Sequence, residues 1–253
     1  MKWRFINTGF NTGQFNMEYD IKLAHEIKSD EAVFRLYRWN PYCISLGANQ
    51  EFNSVNTTKA KADNIDIVKR PTGGRAILHS EELTYSVIFP IDANLSARGA
   101  YEEINQALQI GLRNYNSKLS EVSLENIQPD FKGFYKEERS AVCFAVSAKS
   151  ELKFRNKKLV GSAQRKLGNT ILQHGSILCG DYHLKIIDYL NIETDNIVSL
   201  KSEISNTTTD LHSILNEEID YPKMEESLLK GFEEYFNTKF ENITVTEQED
   251  ILL

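Results

Sequence analysis

A chain of 253 residues, 41% of them hydrophobic, is long enough to bury one sizeable core. It holds no run of about 18 uncharged apolar residues that would span a bilayer. A formal charge of −7 sets the chain as a whole against nonspecific nucleic-acid binding, which needs clustered Lys and Arg to neutralise phosphates. The opening MKWRFINTGF lacks the apolar stretch of an export signal, so a cytoplasmic protein with no membrane segment is expected. Cys43, Cys143 and Cys179 form an odd set without CxxC spacing, which argues against a disulfide framework and a cysteine-rich zinc site.

Residues 3–6 read as a short strand, and Asn11 or Thr12 can cap a helix in which Met17, Ile21, Ala24 and Ile27 recur at helical spacing. The same window also alternates at strand spacing, and its Ala, Glu and Lys content decides for helix. Strands follow at 32–37, 43–46, 66–69, 75–78 and 83–89, each rich in β-branched or aromatic residues and separated by turn residues. An amphipathic helix then runs from about 99 to 115, with Tyr101, Ile104, Leu108 and Leu112 on one face. After a charged, aromatic loop near 128–139, strand-like runs occupy 151–154, 158–164 and 170–178, with Asn156 and Gly168 marking the turns. A last helix opens on Pro222 and aligns Met224, Leu228, Phe232 and Phe236 as a core stripe. Two blocks of strands with helices between and after them predict an α+β fold of mixed β-sheets flanked by helices, in one domain over 1–253. Neither GxGxxG nor GxxxxGK[ST] occurs, so the common phosphate-cradling signatures are absent.

Charge is unevenly spread. Residues 131–170 carry ten Lys and Arg against three Glu, whereas 201–253 carry four Lys against thirteen acids; the middle attracts anions and the tail repels them. In RPTGGRAILH, residues 70–79, Gly73 and Gly74 let backbone N–H groups approach a ligand, and Arg70 and Arg75 can hold a carboxylate or phosphate. A tight hairpin turn with surface arginines accounts for the segment equally well. Cys143, in SAVCFAVS, has the apolar neighbours of an inert core cysteine. However, Lys132, Lys136, Arg139, Lys149, Lys153, Arg155, Lys157 and Lys158 crowd the same stretch, and neighbouring cations stabilise the attacking thiolate. Cys43 and Cys179 lack such neighbours and read as packing residues. In KKLVGSAQRK, residues 157–166, Lys158 heads an apolar strand that leads into Gly161, Ser162 and Ala163, small residues that let a substrate pass close to backbone. A lysine desolvated beside a thiol can exchange protons with it and with an incoming amine. His79 or His174 offers an alternative partner for the cysteine, although His174, between apolar neighbours, reads as a hydrogen-bonded structural residue. HSEEL after His79 is not HExxH, and no zinc motif exists.

Taken in order, KRPTGGRAILHSEELTYSV, CFAVSAKSEL, KKLVGSAQRK and LQHGSIL resemble the biotin and lipoate protein ligase superfamily, and more narrowly its octanoyltransferase LipM branch. The resemblance implies the catalytic-domain fold of that superfamily without an accessory C-terminal domain. It also implies transfer of an octanoyl group from acyl carrier protein onto Cys143, then to a lysine of a lipoyl-domain protein such as glycine cleavage protein H. Lys158, with Lys157 as the fallback, matches the lysine that lowers the thiol pKa and handles protons. Gly73, Gly74 and Arg75 with Gly161, Ser162 and Ala163 match the acyl-chain channel; Arg70 and His79 complete the candidate substrate-binding set. No metal or other cofactor is implied, and a monomer is expected. Ser147, Ala148 and Ser150 stand where the branch has a Pro-Ser pair and a Tyr, and Asn156 stands where glycine is common. The rival readings are an ATP-dependent lipoate protein ligase, an amidotransferase between lipoyl proteins, and a non-catalytic module that holds acylated carriers.

Overall fold

The structure is a computed structural model that describes residues 1–91, 96–125, 151–192 and 194–243. In chain order the elements are β1 (Lys2–Asn11), α1 (Gly13–Glu26), β2 (Glu31–Trp39), β3 (Cys43–Leu46), α2 (Thr57–Ala62), β4 (Asp66–Lys69), β5 (Ile77–His79), β6 (Glu82–Pro90) and α3 (Ala97–Tyr115). They continue with β7 (Val122–Leu124), β8 (Leu152–Phe154), β9 (Lys157–Lys158), β10 (Val160–Leu167), β11 (Thr170–Leu178), α4 (Thr194–Thr207), α5 (Leu211–Leu215), α6 (Tyr221–Phe236) and β12 (Phe240–Ile243). Six strands form a mixed sheet in the order β10-β11-β6-β2-β1-β12; β4-β3-β5 and β7-β8-β9 form two small sheets. The first four strands of the large sheet pair antiparallel, whereas β1 pairs parallel with both β2 and β12. The α+β architecture expected from the strand blocks is the one found. No helix among the described residues is long and apolar enough to cross a membrane.

Local chemistry explains the boundaries. Of the two candidate caps for α1, Thr12 serves: its Oγ1 accepts from the Phe15 N–H at 3.3 Å. Asp220 caps α6, Pro222 lies in its first turn, and Asn237 ends it in the left-handed conformation, φ 48°. The strand expected at 75–78 forms at 77–79 instead, because the Arg75 carbonyl is drawn into the preceding loop by Arg70. The run expected at 158–164 divides into β9 and β10, and β8 turns into β9 through Arg155 and Asn156, both at positive φ (47° and 68°). A two-residue hairpin needs this conformation, and Asn tolerates it in place of glycine.

Alternation along the strands gives the large sheet two different faces. Phe34, Leu36, Leu83, Tyr85, Val87 and Ile177 point to one side and join Ile104, Leu108, Leu112, Met224, Leu228 and Phe232 of α3 and α6 in the main core. The stripe expected on the last helix is therefore core. On the opposite side the antiparallel register places Gly161, Ser176, Thr84 and Tyr37 in one row, and Ala163, His174, Ser86 and Arg35 in the next. That second face is covered by α1 and, alongside it, by the β4-β3-β5 sheet.

Helices α3 and α6 approach to backbone contact. A Cβ on Gly231 would lie 2.3 Å from the Gly111 nitrogen, and one on Gly111 would lie 2.7 Å from Leu228 Cα. Alanine favours a helix over glycine by about 1 kcal/mol, yet overpacking of this kind typically costs about 1–3 kcal/mol. Gly231→Ala is expected to lower the urea midpoint of unfolding; a raised midpoint would mean that the helices part easily.

Candidate active site

A narrow cavity opens on the second face of the sheet. Gly161, Ala163, His174, Ser176 and Thr84 supply its sheet wall; Tyr37 and Trp39 continue that wall on β2. Ser45, Ile77 and His79 face them from β3 and β5, Arg70 from the loop after β4, and Met17 from α1. Among the candidate substrate-binding residues, Arg70, His79, Gly161, Ser162 and Ala163 thus come together at one cavity. Gly73, Gly74 and Arg75 lie beside it without lining it.

The reason lies in Arg70, which is 3% exposed. Its Nη1 donates to the Ser45 carbonyl (2.8 Å) and Oγ (3.0 Å), its Nε and Nη2 to the Gly73 carbonyl (3.2 and 2.9 Å), and Nη2 also to the Arg75 carbonyl (2.7 Å). The guanidinium fork that was read as an anion holder ties its own loop into shape. Gly74 adopts φ 96°, which a β-carbon would oppose, and its carbonyl lies where a Cβ on Gly47 would be 2.0 Å away. His79 is similarly engaged. Its Nδ1 donates to Glu82 Oε1 (2.8 Å), its Nε2 lies 2.8 Å from Ser45 Oγ, and its ring stacks on Trp39 with centroids 4.0 Å apart. Glu82 Oε1 also accepts from Ser176 Oγ (2.8 Å) and Thr84 Oγ1, and Thr84 in turn accepts from the Trp39 indole N–H (2.7 Å).

A second buried network lies behind His174. Asp20, wholly buried, accepts from Arg35 Nη1 (2.7 Å), Ser86 Oγ (2.7 Å) and the Tyr37 hydroxyl (3.2 Å), and its Oδ2 stands 3.5 Å from His174 Nδ1. His174 Nε2 lies 2.7 Å from Thr72 Oγ1. The histidine read as structural is hydrogen-bonded as expected, and it also lines the cavity. Cys43 and Cys179 are buried, and burial raises both thiols, Cys179 to about 12, as suits packing residues.

At the β10 end, Lys158 is 1% exposed. Its Nζ lies 2.9 Å from Glu151 Oε2, and Glu151 Oε1 accepts the backbone N–H of Ser162 at 3.2 Å. The Ser162 hydroxyl turns to the helix side, 2.7 Å from the Tyr85 hydroxyl, so only its backbone serves the cavity wall. Lys157 is exposed and donates to the Ser205 carbonyl at 3.1 Å. Of the two candidate lysines, Lys158 is the buried one. Cys143, with the rest of 126–150, lies outside the described residues. Glu151 escaped the sequence reading; its signal was that of a rare acid in a basic stretch. Asp20, Arg35 and Glu82 carried no comparable signal.

The buried groups make stability fall in two stages on acidification. Burial holds His174 and His183 below the ordinary 6.5, so the unfolded chain takes up protons before the folded one, and stability drops as pH falls below about 6.5. Burial alone would raise the carboxyls of Glu82 and Asp20, but His79 and Arg35 respectively, with their hydrogen bonds, hold them below 4.5 and 3.8. Their contribution is present above those values and is lost as pH falls through the lower folded ones. A melting-temperature scan from pH 8 to 3 is expected to show both declines. His183→Gln should flatten the first and Glu82→Gln the second; unchanged slopes would refute the assignment.

The family profile described as lipoyl protein ligase A/B catalytic domain matches residues 12–233. An octanoyltransferase LipM of Macrococcus caseolyticus is 33% identical, with 98% of this chain and 91% of the relative covered. One of Staphylococcus aureus is 32% identical over 97% and 91%. Among solved structures, a bipartite lipoate protein ligase from Thermoplasma acidophilum superposes with a TM-score of 0.77 at 17% identity, covering 98% of this chain and 88% of that one; the shared fold is the catalytic-domain fold of the biotin and lipoate protein ligases. With the family profile spanning most of its length and relatives above 30% identity over nearly all of it, this chain belongs to the lipoyl protein ligase A/B catalytic-domain family, in its octanoyltransferase LipM branch, and is an acyltransferase.

Proposed function

We propose that the chain moves an octanoyl group from acyl carrier protein onto Cys143 and then onto a lysine of a lipoyl-domain protein, such as glycine cleavage protein H, in lipoate biosynthesis. It does so as a single catalytic domain, a cytoplasmic monomer. The observation that carries the reading is Lys158, buried near the cavity and linked to its wall through Glu151 and the Ser162 N–H. A lysine is almost never fully buried unless paired, and this one ends a strand that runs directly into the cavity wall. The names of the relatives supply the acyl group.

In this reading the Cys143 thiolate attacks the thioester carbonyl of the donor, and the carrier's sulfur departs with the electron pair and takes a proton. The octanoyl group then sits on Cys143 with its chain in the cavity. A neutral lysine amine of the acceptor attacks that thioester, the C–S bond breaks, and an amide forms. The amine must lose one proton and the leaving sulfur must be stabilised. The Lys158–Glu151 pair is suited to both, the carboxylate as acceptor and the ammonium as donor. The exposed Lys157 adds positive charge that favours an acidic carrier, whereas Lys153 and Arg155 are paired with Glu125 and Glu121.

Intact mass after mixing with octanoyl-acyl carrier protein, without ATP, tests the reading. Wild type should gain one octanoyl group that hydroxylamine removes, and Cys143→Ala should gain none. No adduct, together with acylation of a lipoyl domain from free octanoate and ATP, would replace transfer by ligation. Lys158→Ala is expected to slow transfer to a lipoyl domain by about 10²–10⁴-fold, and Lys157→Ala to leave it near wild type; equal effects would remove Lys158 from its role.

A further inference from the structure

We propose that Met17 sets the length of acyl chain that the cavity accepts, an inference that rests on the transfer reading above. Lys158 and Glu151 fix the reacting end at β10, where Gly161 and Ser162 form the wall. From there the row Gly161, Ser176, Thr84, Tyr37 crosses the sheet through three strand pairings, about 14 Å at the usual strand spacing. A chain extended along that row reaches Tyr37, and Trp39 and Met17, which pack against Tyr37, line the same part of the cavity.

Two of these three are fixed in place. The Tyr37 hydroxyl donates to Asp20 at 3.2 Å, and the Trp39 indole N–H donates to Thr84 Oγ1 at 2.7 Å while its ring stacks on His79. Replacing either would leave buried polar partners unsatisfied. Met17 has no such tie. It is an unbranched, adaptable side chain, buried to 5% exposure, that packs with Tyr37, Trp39, Cys43 and Val68. Shortening it would extend the cavity toward Cys43 and Val68; enlarging it would fill the end. Its position inside α1 keeps it at the far wall whatever the reacting end does.

The test offers wild type, Met17→Ala, Met17→Val and Met17→Phe a mixture of hexanoyl-, octanoyl- and decanoyl-acyl carrier protein and reads the adducts on Cys143 by intact mass. Leu23→Ala is the control, since Leu23 is buried on the same helix but packs in a different cluster. Removing methylenes from Met17 should raise the decanoyl to octanoyl ratio at least about tenfold, and Met17→Phe should shift the ratio toward hexanoyl by a similar factor. Leu23→Ala should leave both ratios at the wild-type values. Ratios unchanged in every Met17 variant that retains wild-type circular dichroism would overturn the assignment while the transfer reading stands. If wild type takes none of the three chains, the transfer reading fails by itself; thermal shifts with free octanoic and decanoic acids, which need no thiol, then decide. A preference moved to decanoic acid in Met17→Ala supports the assignment, and an unmoved preference overturns it.

Discussion

The site depends on one constraint, the register of the four antiparallel strands β10, β11, β6 and β2. Directly opposed pairs carry Gly161, Ser176, Thr84 and Tyr37 across one face. A slip of one residue in any pairing would turn an entire strand over. In β6, for instance, Leu83 and Tyr85 would face the cavity, and Thr84 and Ser86 would face the α3 and α6 core. Burial of large apolar side chains on the helix side opposes such a slip, so the main core and the cavity are two consequences of a single alignment.

Charges buried behind that face hold it still. Taking Asp20 and Arg35 out of water is costly, and their attraction compensates only when the remaining donors and acceptors are also satisfied. Arg35 meets that condition: it bonds Asp20, both the side chain and carbonyl of Asn16, and Thr8 Oγ1, and its guanidinium lies 3.9 Å from the Tyr37 ring centroid. Arg70 does the same for the glycine loop. One end of the cavity is therefore framed by groups whose orientations are mutually determined, while the reacting end rests on the shorter link from Lys158 through Glu151 to Ser162.

Much of this was legible in the sequence where the side-chain period is strong. The stripe on α6, the face of α3 and the limits of β3, β4 and β11 follow from alternation or helical spacing alone, and the motif order pointed to the fold. What was not legible depends on contacts between distant parts. Phe240 to Ile243 is too short to announce a strand and becomes one only because β1 offers an edge. Glu151 and Lys158 meet because a tight left-handed turn at Arg155 and Asn156 folds β8 back on β9. The link of Arg70 to Gly73 and Arg75 was hidden for a related reason. Composition revealed donors near glycines, but not that the guanidinium would spend those donors on the carbonyls of its own loop.

The parallel pairing of Trp3 with Phe240 brings together segments made at widely separated moments of synthesis. While the chain grows on the ribosome, β1 can pair with β2, but its outer edge stays open until β12 has been translated. An uncovered edge strand is a template for pairing with other chains, and contacts between remote segments are slow to close. The interval between translation of β1 and of β12 is thus the period in which a newly made copy is most exposed to misassociation.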